Sequence, residues 1–144
     1  MADMKVESYL FFGGRCEEAM EFYREAVGAE VLMAVRYDEA PEPPPPGMLA
    51  EGFERKVMHA SLRIGATRIM ASDGCEPDAS GFKGFSLALA VKTEGEADRV
   101  FAGLSEGGEV TMPLCKTFWS PRFGMLRDKF GVGWMVNVKE EEGG

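Results

Sequence analysis

His59 is the one histidine in the chain, and it stands in an alternating run with Val57, Ser61 and Arg63. In an extended segment, residues two apart share a side, so an imidazole, a hydroxyl and a guanidinium would line one face of a strand. An imidazole titrates near neutrality and can give or take a proton, and a guanidinium can hold an anionic group. Each residue also has a plainer reading. His59 can be a satisfied polar residue of a sheet, and Arg63 can pair with an acidic neighbour. A second cluster is Phe118, Trp119 and Phe123, which bracket Ser120, Pro121 and Arg122. Aromatic rings on a turn suit a wall for a flat or apolar small molecule, and equally suit packing against a core or a second subunit. Trp134 alternates with Met135 and is expected to face inward. The ten methionines either line an adaptable pocket or fill gaps in a core. Cys115 sits beside Lys116, but no Ser-His-Asp or Cys-His arrangement is indicated, so nucleophilic hydrolysis is not expected.

Composition narrows the partners. The net charge is -8 and the 16 lysines and arginines are scattered, so the basic stripe that nucleic acid requires is missing. The apolar fraction of 45% is enough for a packed core. Three cysteines without metal-type spacing argue against a disulfide framework or zinc site and for a reducing compartment. No apolar run approaches the ~20 residues that span a bilayer. The expectation is a soluble cytoplasmic protein that uses neither nucleic acid nor membrane as a partner.

The elements that must position these residues are written twice. Glu18 to Met33 aligns with Glu96 to Met112 across one single-residue gap. Ala19, Phe22, Tyr23 and Ala26 form a helical apolar stripe, and 78 positions on stand Ala97, Val100, Phe101 and Leu104. Equivalent buried faces are expected. The first copy reads as strand Lys5 to Phe12, helix Cys16 to Val27, strand Glu30 to Tyr37, a proline-rich loop Asp38 to Glu54, and strands Val57 to Ile64 and Thr67 to Ser72. Pro41 and Pro43 to Pro46 exclude that loop from a sheet interior. The second copy reads as strand Phe85 to Val91, helix Glu94 to Ser105, and strands Glu109 to Thr117, Phe123 to Asp128 and Gly133 to Val138. Asp73 to Lys83 is the linker, and Lys139 to Gly144 is a charged tail expected to fray. The fold class is α+β, with two βαβββ modules, residues 4–74 and 84–139, in a single domain spanning 1–144. Alternation assigns Met58, Ala60, Leu62 and Ile64 to the helix side of a sheet, and Val57, His59, Ser61 and Arg63 to its open side.

The pattern resembles the vicinal oxygen chelate superfamily, which includes glyoxalase I, bleomycin-resistance proteins and extradiol dioxygenases. It is most similar to the PhnB-like subgroup. The residues carrying the resemblance are YLFFGGRCEEAMEFY (Tyr9 to Tyr23), VMHASLRIG (Val57 to Gly65), MASDG (Met70 to Gly74) and MPLCKTFWSPRFGMLRDKFGVGWMVN (Met112 to Asn137). The resemblance implies a cupped mixed sheet with helices on its convex face, a cleft on the concave side, and a homodimer. The subgroup often carries a demethylubiquinone methyltransferase description. No strand here leads into a GxGxG turn, and 144 residues leave no room for a nucleotide-binding domain, so methyl transfer is not expected.

Metal-using members of the superfamily place His or Glu ligands on the first and last strand of each module. Counting back from the helix Phe-Tyr puts the first-strand positions at Ser8 and Ser86, and counting forward from the strand-joining glycines puts the last-strand positions at Met70 and Met135. A neutral hydroxyl is a poor ligand and a thioether a soft one, so no metal and no cofactor are expected there. Sliding by two residues offers Ser72 and Asn137, which supply no charged ligand either. Leu10 and Phe12 share a side with Ser8 and would make the cleft floor apolar. The expected ligand-binding set is therefore Ser8, Phe12, His59, Arg63, Met70, Ser86, Trp119, Met135 and Asn137. Two functions stay open. One is a metal-free protein that binds a small organic molecule in this cleft. The other is a cleft enzyme of lyase, isomerase or dioxygenase type on a small oxygenated substrate, with His59 as acid or base and Arg63 or Asn137 orienting the substrate.

Overall fold

The structure is a computed structural model that describes residues 4–42, 44–77 and 81–139. Its chain divides into two compact units, residues 1–79 and 80–144. The first unit contains β1 (Tyr9–Phe11), α1 (Cys16–Val27), β2 (Glu30–Arg36), β3 (Val57–Ile64) and β4 (Thr67–Ser72). The strands form a four-stranded sheet in the order β1-β4-β3-β2, with β1 and β4 parallel and the other pairs antiparallel. The second unit repeats this with β5 (Leu87–Val91), α2 (Glu94–Ser105), β6 (Glu109–Cys115), β7 (Phe123–Arg127) and β8 (Gly133–Val138), ordered β5-β8-β7-β6 with β5 and β8 parallel. This is the α+β class with two mixed sheets and two helices. No helix among the described residues is long and apolar enough to cross a membrane.

The two helices begin differently. Thr93 caps α2, its Oγ1 accepting from the Glu96 N–H at 3.1 Å, which satisfies a donor the helix leaves open. Arg15 offers α1 no such side-chain bond. Asp73, from beyond β4, does the work instead: its Oδ1 accepts from the Gly14 and Cys16 N–H groups at 2.8 and 2.7 Å, and its Oδ2 from the Val57 N–H at 2.9 Å. A buried carboxylate is thus neutralised by three backbone donors and by the positive end of α1. At the far end, Gly28 takes the left-handed conformation at φ 70°, with its N–H on Arg24 O and that of Ala29 on Tyr23 O. These two bonds close the helix.

The buried faces agree in part. α2 buries all four expected residues, Ala97, Val100, Phe101 and Leu104. α1 buries Ala19 and Tyr23 with Cys16 and Met20, while Phe22 and Ala26 are half-buried. Against α2, Gly124 of β7 leaves space that a Cβ would lose, since that atom would lie 2.8 Å from the Phe101 ring. Both helices, β3, β4 and β8 span the residues expected from the sequence. The first strand, expected from Lys5, pairs only over Tyr9–Phe11, and β2, β5, β6 and β7 are each one or two residues shorter than expected. The proline-rich segment lies outside the sheet, and within it Phe53 is buried. Pro43, most of the linker's end (residues 78–80) and the tail beyond Lys139 lie outside the described residues.

Candidate functional site

In each unit one sheet face carries the helix and the other does not. In the first, Leu10, Ala60, Leu62, Ile69 and Ala71 are buried on the helix side. The ladder places Tyr9, Met70 and Ser61 in one row, and Phe11 beside Ser72, on the helix-free face. His59 and Arg63 share that face by alternation along β3, as expected. The Tyr9 hydroxyl lies 2.9 Å from His59 Nδ1, the two rings are 5.6 Å apart, and Phe11 stacks on Tyr9 at 5.0 Å. Tyr9 and Phe11 are 38% and 51% exposed, so this row of rings is open to contact. Burial pushes the Tyr9 phenol above its ordinary pKa, and the nearby Ser72 hydroxyl opposes the shift.

Arg63 forms an ion pair with Glu30 of β2, the acidic-neighbour role rather than a free guanidinium. Both side chains are more than half exposed, so the pair contributes at most ~1 kcal/mol. At the lower end of the face, Arg68 holds both oxygens of Glu7 at 2.8 Å, and this bond keeps the Glu7 carboxyl below the usual carboxylate range.

Two placements differ from the sequence reading. Phe12 is 8% exposed, with its ring 6.2 Å from Tyr23 of α1; it and Leu10 belong to the core beneath the helix and floor no cleft. Ser8 precedes β1, has the parity of Leu10 and Phe12, and offers its carbonyl to the Met70 N–H at 3.0 Å. The residue facing Met70 is Tyr9. The cause is a turn of unequal length. Tyr9 faces Met70 as Ala88 faces Met135, an offset of 79 positions, while the helices start at Cys16 and Glu94, an offset of 78. Counting back from the helix crosses the Gly13-Gly14 turn, which holds one residue more than its counterpart at Lys92 and Thr93. The sequence signal for this facing is the apolar parity of Leu10 and Phe12, both buried.

In the second unit, Trp134, Val136 and Val138 are buried, and Trp134 donates its indole N–H to Asp128 Oδ2 at 2.9 Å. The opposite face of β8 carries Met135, in register with Ala88 and Met125, and Asn137, in register with Ala90 and Phe123. Ser86 is exposed just before β5, where a Cβ on Gly133 would meet its Oγ at 2.8 Å. Trp119 is 54% exposed and meets Phe123 and Phe118 edge to face at 5.3 and 4.7 Å. Its turn is held by buried Ser120, whose Oγ lies 2.8 and 3.0 Å from the carbonyls of Arg122 and Val138, which share its one proton. Trp119, Phe123, Asn137 and Met135 therefore form one connected patch. Within it, Asn137 Oδ1 is shielded from solvent and has no hydrogen-bond partner among the described residues.

The residues at the ligand positions that the resemblance implies do not suit a hard divalent ion: the ladder sets a phenol beside one thioether and an alanine beside the other. Among the described residues no three His, Cys, Asp or Glu side chains converge as a metal site. Cys16 is buried, and desolvation, with Asp73 next, pushes its thiol up to about 12. A surface groove of about 490 Å³ runs beside α1 and the start of β2 in the first unit, lined by Glu17, Met20, Glu21, Arg24, Ala29, Glu30 and Val31. Its carboxylates are paired, Glu17 with Arg36, Glu21 with Arg24 and Glu30 with Arg63.

Residues 4–137 match the family model described as 3-demethylubiquinone-9 3-methyltransferase. The protein YjdN of Escherichia coli (strain K12) is 34% identical over 96% of this chain and 98% of its own. The crystal structure of protein PA1353 from Pseudomonas aeruginosa is 39% identical, with a TM-score of 0.82 over 96% of this chain and 100% of that one. A protein from Bacillus cereus, described as a putative 3-demethylubiquinone-9 3-methyltransferase, PhnB protein, is 32% identical, with a TM-score of 0.77 over 94% and 99%. A glyoxylase/bleomycin resistance protein/dioxygenase domain from Frankia, 13% identical with a TM-score of 0.62 over 96% and 93%, shares the fold.

Proposed function

The chain belongs to the 3-demethylubiquinone-9 3-methyltransferase family, the PhnB-like branch of the vicinal oxygen chelate superfamily, and from that premise we propose that it is a metal-free protein that binds a small organic molecule on its helix-free sheet faces. The observation that carries the reading is Asn137 Oδ1, solvent-shielded and unpartnered beside Phe123, Met135 and Trp119. A buried polar atom without a partner costs about 1–3 kcal/mol, and a ligand donor would remove that cost. Apolar walls with a few polar groups are the usual composition of a small-molecule site. The proposal includes a cytoplasmic homodimer, which the family resemblance supports. Methyl transfer forms no part of it, since no described strand runs into a GxGxG turn.

The test is a thermal-shift screen of flat, apolar small molecules followed by calorimetry of the hits. Binding should occur without turnover and weaken at least tenfold in Asn137→Ala and Trp119→Ala; hits indifferent to both variants would overturn the reading. Elemental analysis of untagged protein tests the metal-free part, which stoichiometric Ni, Zn, Mn or Fe would remove.

The Tyr9–His59 bond favours a second reading, a cleft enzyme on a small oxygenated substrate with His59 moving a proton. Geometry of this kind suits general acid–base work. In that case His59→Gln abolishes turnover and leaves the unfolding midpoint in place; unchanged kinetics removes the idea.

A further inference from the structure

We infer that Tyr9 is a positioning residue for His59: its hydroxyl donates to Nδ1, leaving the Nε2–H as the ring's donor, so that this face selects ligands bearing an acceptor oxygen. The inference rests on the binding reading above and adds the class of group that the first unit's face would recognise.

The direction of the bond follows from the chemistry of its two ends. The Tyr9 hydroxyl and His59 Nδ1 are 2.9 Å apart; a phenol gives a hydrogen bond more readily than it accepts one, and an unprotonated imidazole nitrogen is the stronger acceptor of the two. Burial also raises the phenol's pKa, so its proton is retained at neutral pH. A neutral imidazole that accepts at one nitrogen carries its proton on the other. The charged groups on the same face are paired among themselves, Arg63 with Glu30 and Arg68 with Glu7. That leaves the Nε2–H for a carboxylate, carbonyl or phenolate oxygen, with Phe11 and Tyr9 beside it for a flat ring.

A single histidine makes the test direct. Long-range proton–nitrogen NMR of uniformly labelled protein at pH 8 should show an unprotonated, hydrogen-bond-accepting Nδ1 and a protonated Nε2. Tyr9→Phe, with its amide spectrum otherwise preserved, should move Nδ1 to the position of a free, unbonded ring nitrogen. A proton on Nδ1 in the unmodified chain, or an Nδ1 resonance unmoved in Tyr9→Phe, overturns the inference; the first readout needs no variant to fold. Benzoate should shift the Nε2 resonance and benzylammonium should not, and the reverse order overturns the acceptor selectivity. Because the tautomer is read without ligand, a chain that shows it yet responds to neither probe loses the binding reading of this face while the role of Tyr9 stands.

Discussion

Facing Met70 in the first unit is Tyr9, and facing Met135 in the second is Ala88. One backbone plan thus supports two unlike surfaces. The first is polar, with Tyr9, His59, Ser61 and Ser72 on one face; the second is small and apolar, with Ala88, Ala90, Met125 and Met135 around Asn137. The helices differ in the same spirit, α1 being started by a carboxylate distant in sequence and α2 by its own threonine. Duplication preserved element order, while the side chains above each sheet and at each helix start diverged, because backbone pairing constrains the former far more than the latter.

That comparison breaks most sharply at Asp73. Asp73→Ala strands three backbone donors, two of them buried bonds, and should cost ~3–5 kcal/mol in urea unfolding. Thr93→Ala at the other helix start removes one exposed bond and should cost ~1 kcal/mol. A larger loss at Thr93 would reverse the ranking of the two helix starts. Between these falls Gly124, whose register counterpart in the first unit is Ala60. Gly124→Ala drives a Cβ to 2.8 Å from the Phe101 ring and 3.0 Å from Met112 O, an overpacking cost of ~1–3 kcal/mol. An unchanged denaturation midpoint would show that α2 can retreat from β7.

Alkaline pH sharpens the contrast further, since the raised thiol and phenols lie in the first unit. Cys16 and Tyr37 are each pushed up to about 12, Cys16 first by burial and Tyr37 first by burial with Cys75 next. In the unfolded chain they lose their protons near their ordinary values of 9 and 10, so above pH ~9 the unfolded state binds fewer protons than the folded one and stability falls as pH rises toward 12. Cys16→Ala should flatten that fall between pH 9 and 11, whatever it costs at neutrality. A urea midpoint that declines equally in both chains would remove the assignment. The smallest expected effect is at Arg63: Arg63→Ala should change stability by less than ~1 kcal/mol, and the change should shrink further in high salt.

Local signals carried much of this molecule. The helical stripe and the alternation from Val57 to Ile64 are properties of neighbouring residues, and with signals of this kind both helices, β3, β4 and β8 are readable, as is the shared face of His59, Ser61 and Arg63. The repeat and its motifs also placed the chain in its family. Two things had no local sign. A turn one residue longer before α1 than before α2 reversed the side to which Ser8 and Phe12 were assigned, because strand facing is set by ladder hydrogen bonds to a distant partner and one residue changes it completely. The partnership of Tyr9 with His59, and of Asp73 with the start of α1, joins residues 50 and 57 or more positions apart. Composition and spacing determined which elements exist and which residues were available; only strand pairing within each sheet decided which of them meet, since a hydrogen bond depends on distances that pairing alone establishes.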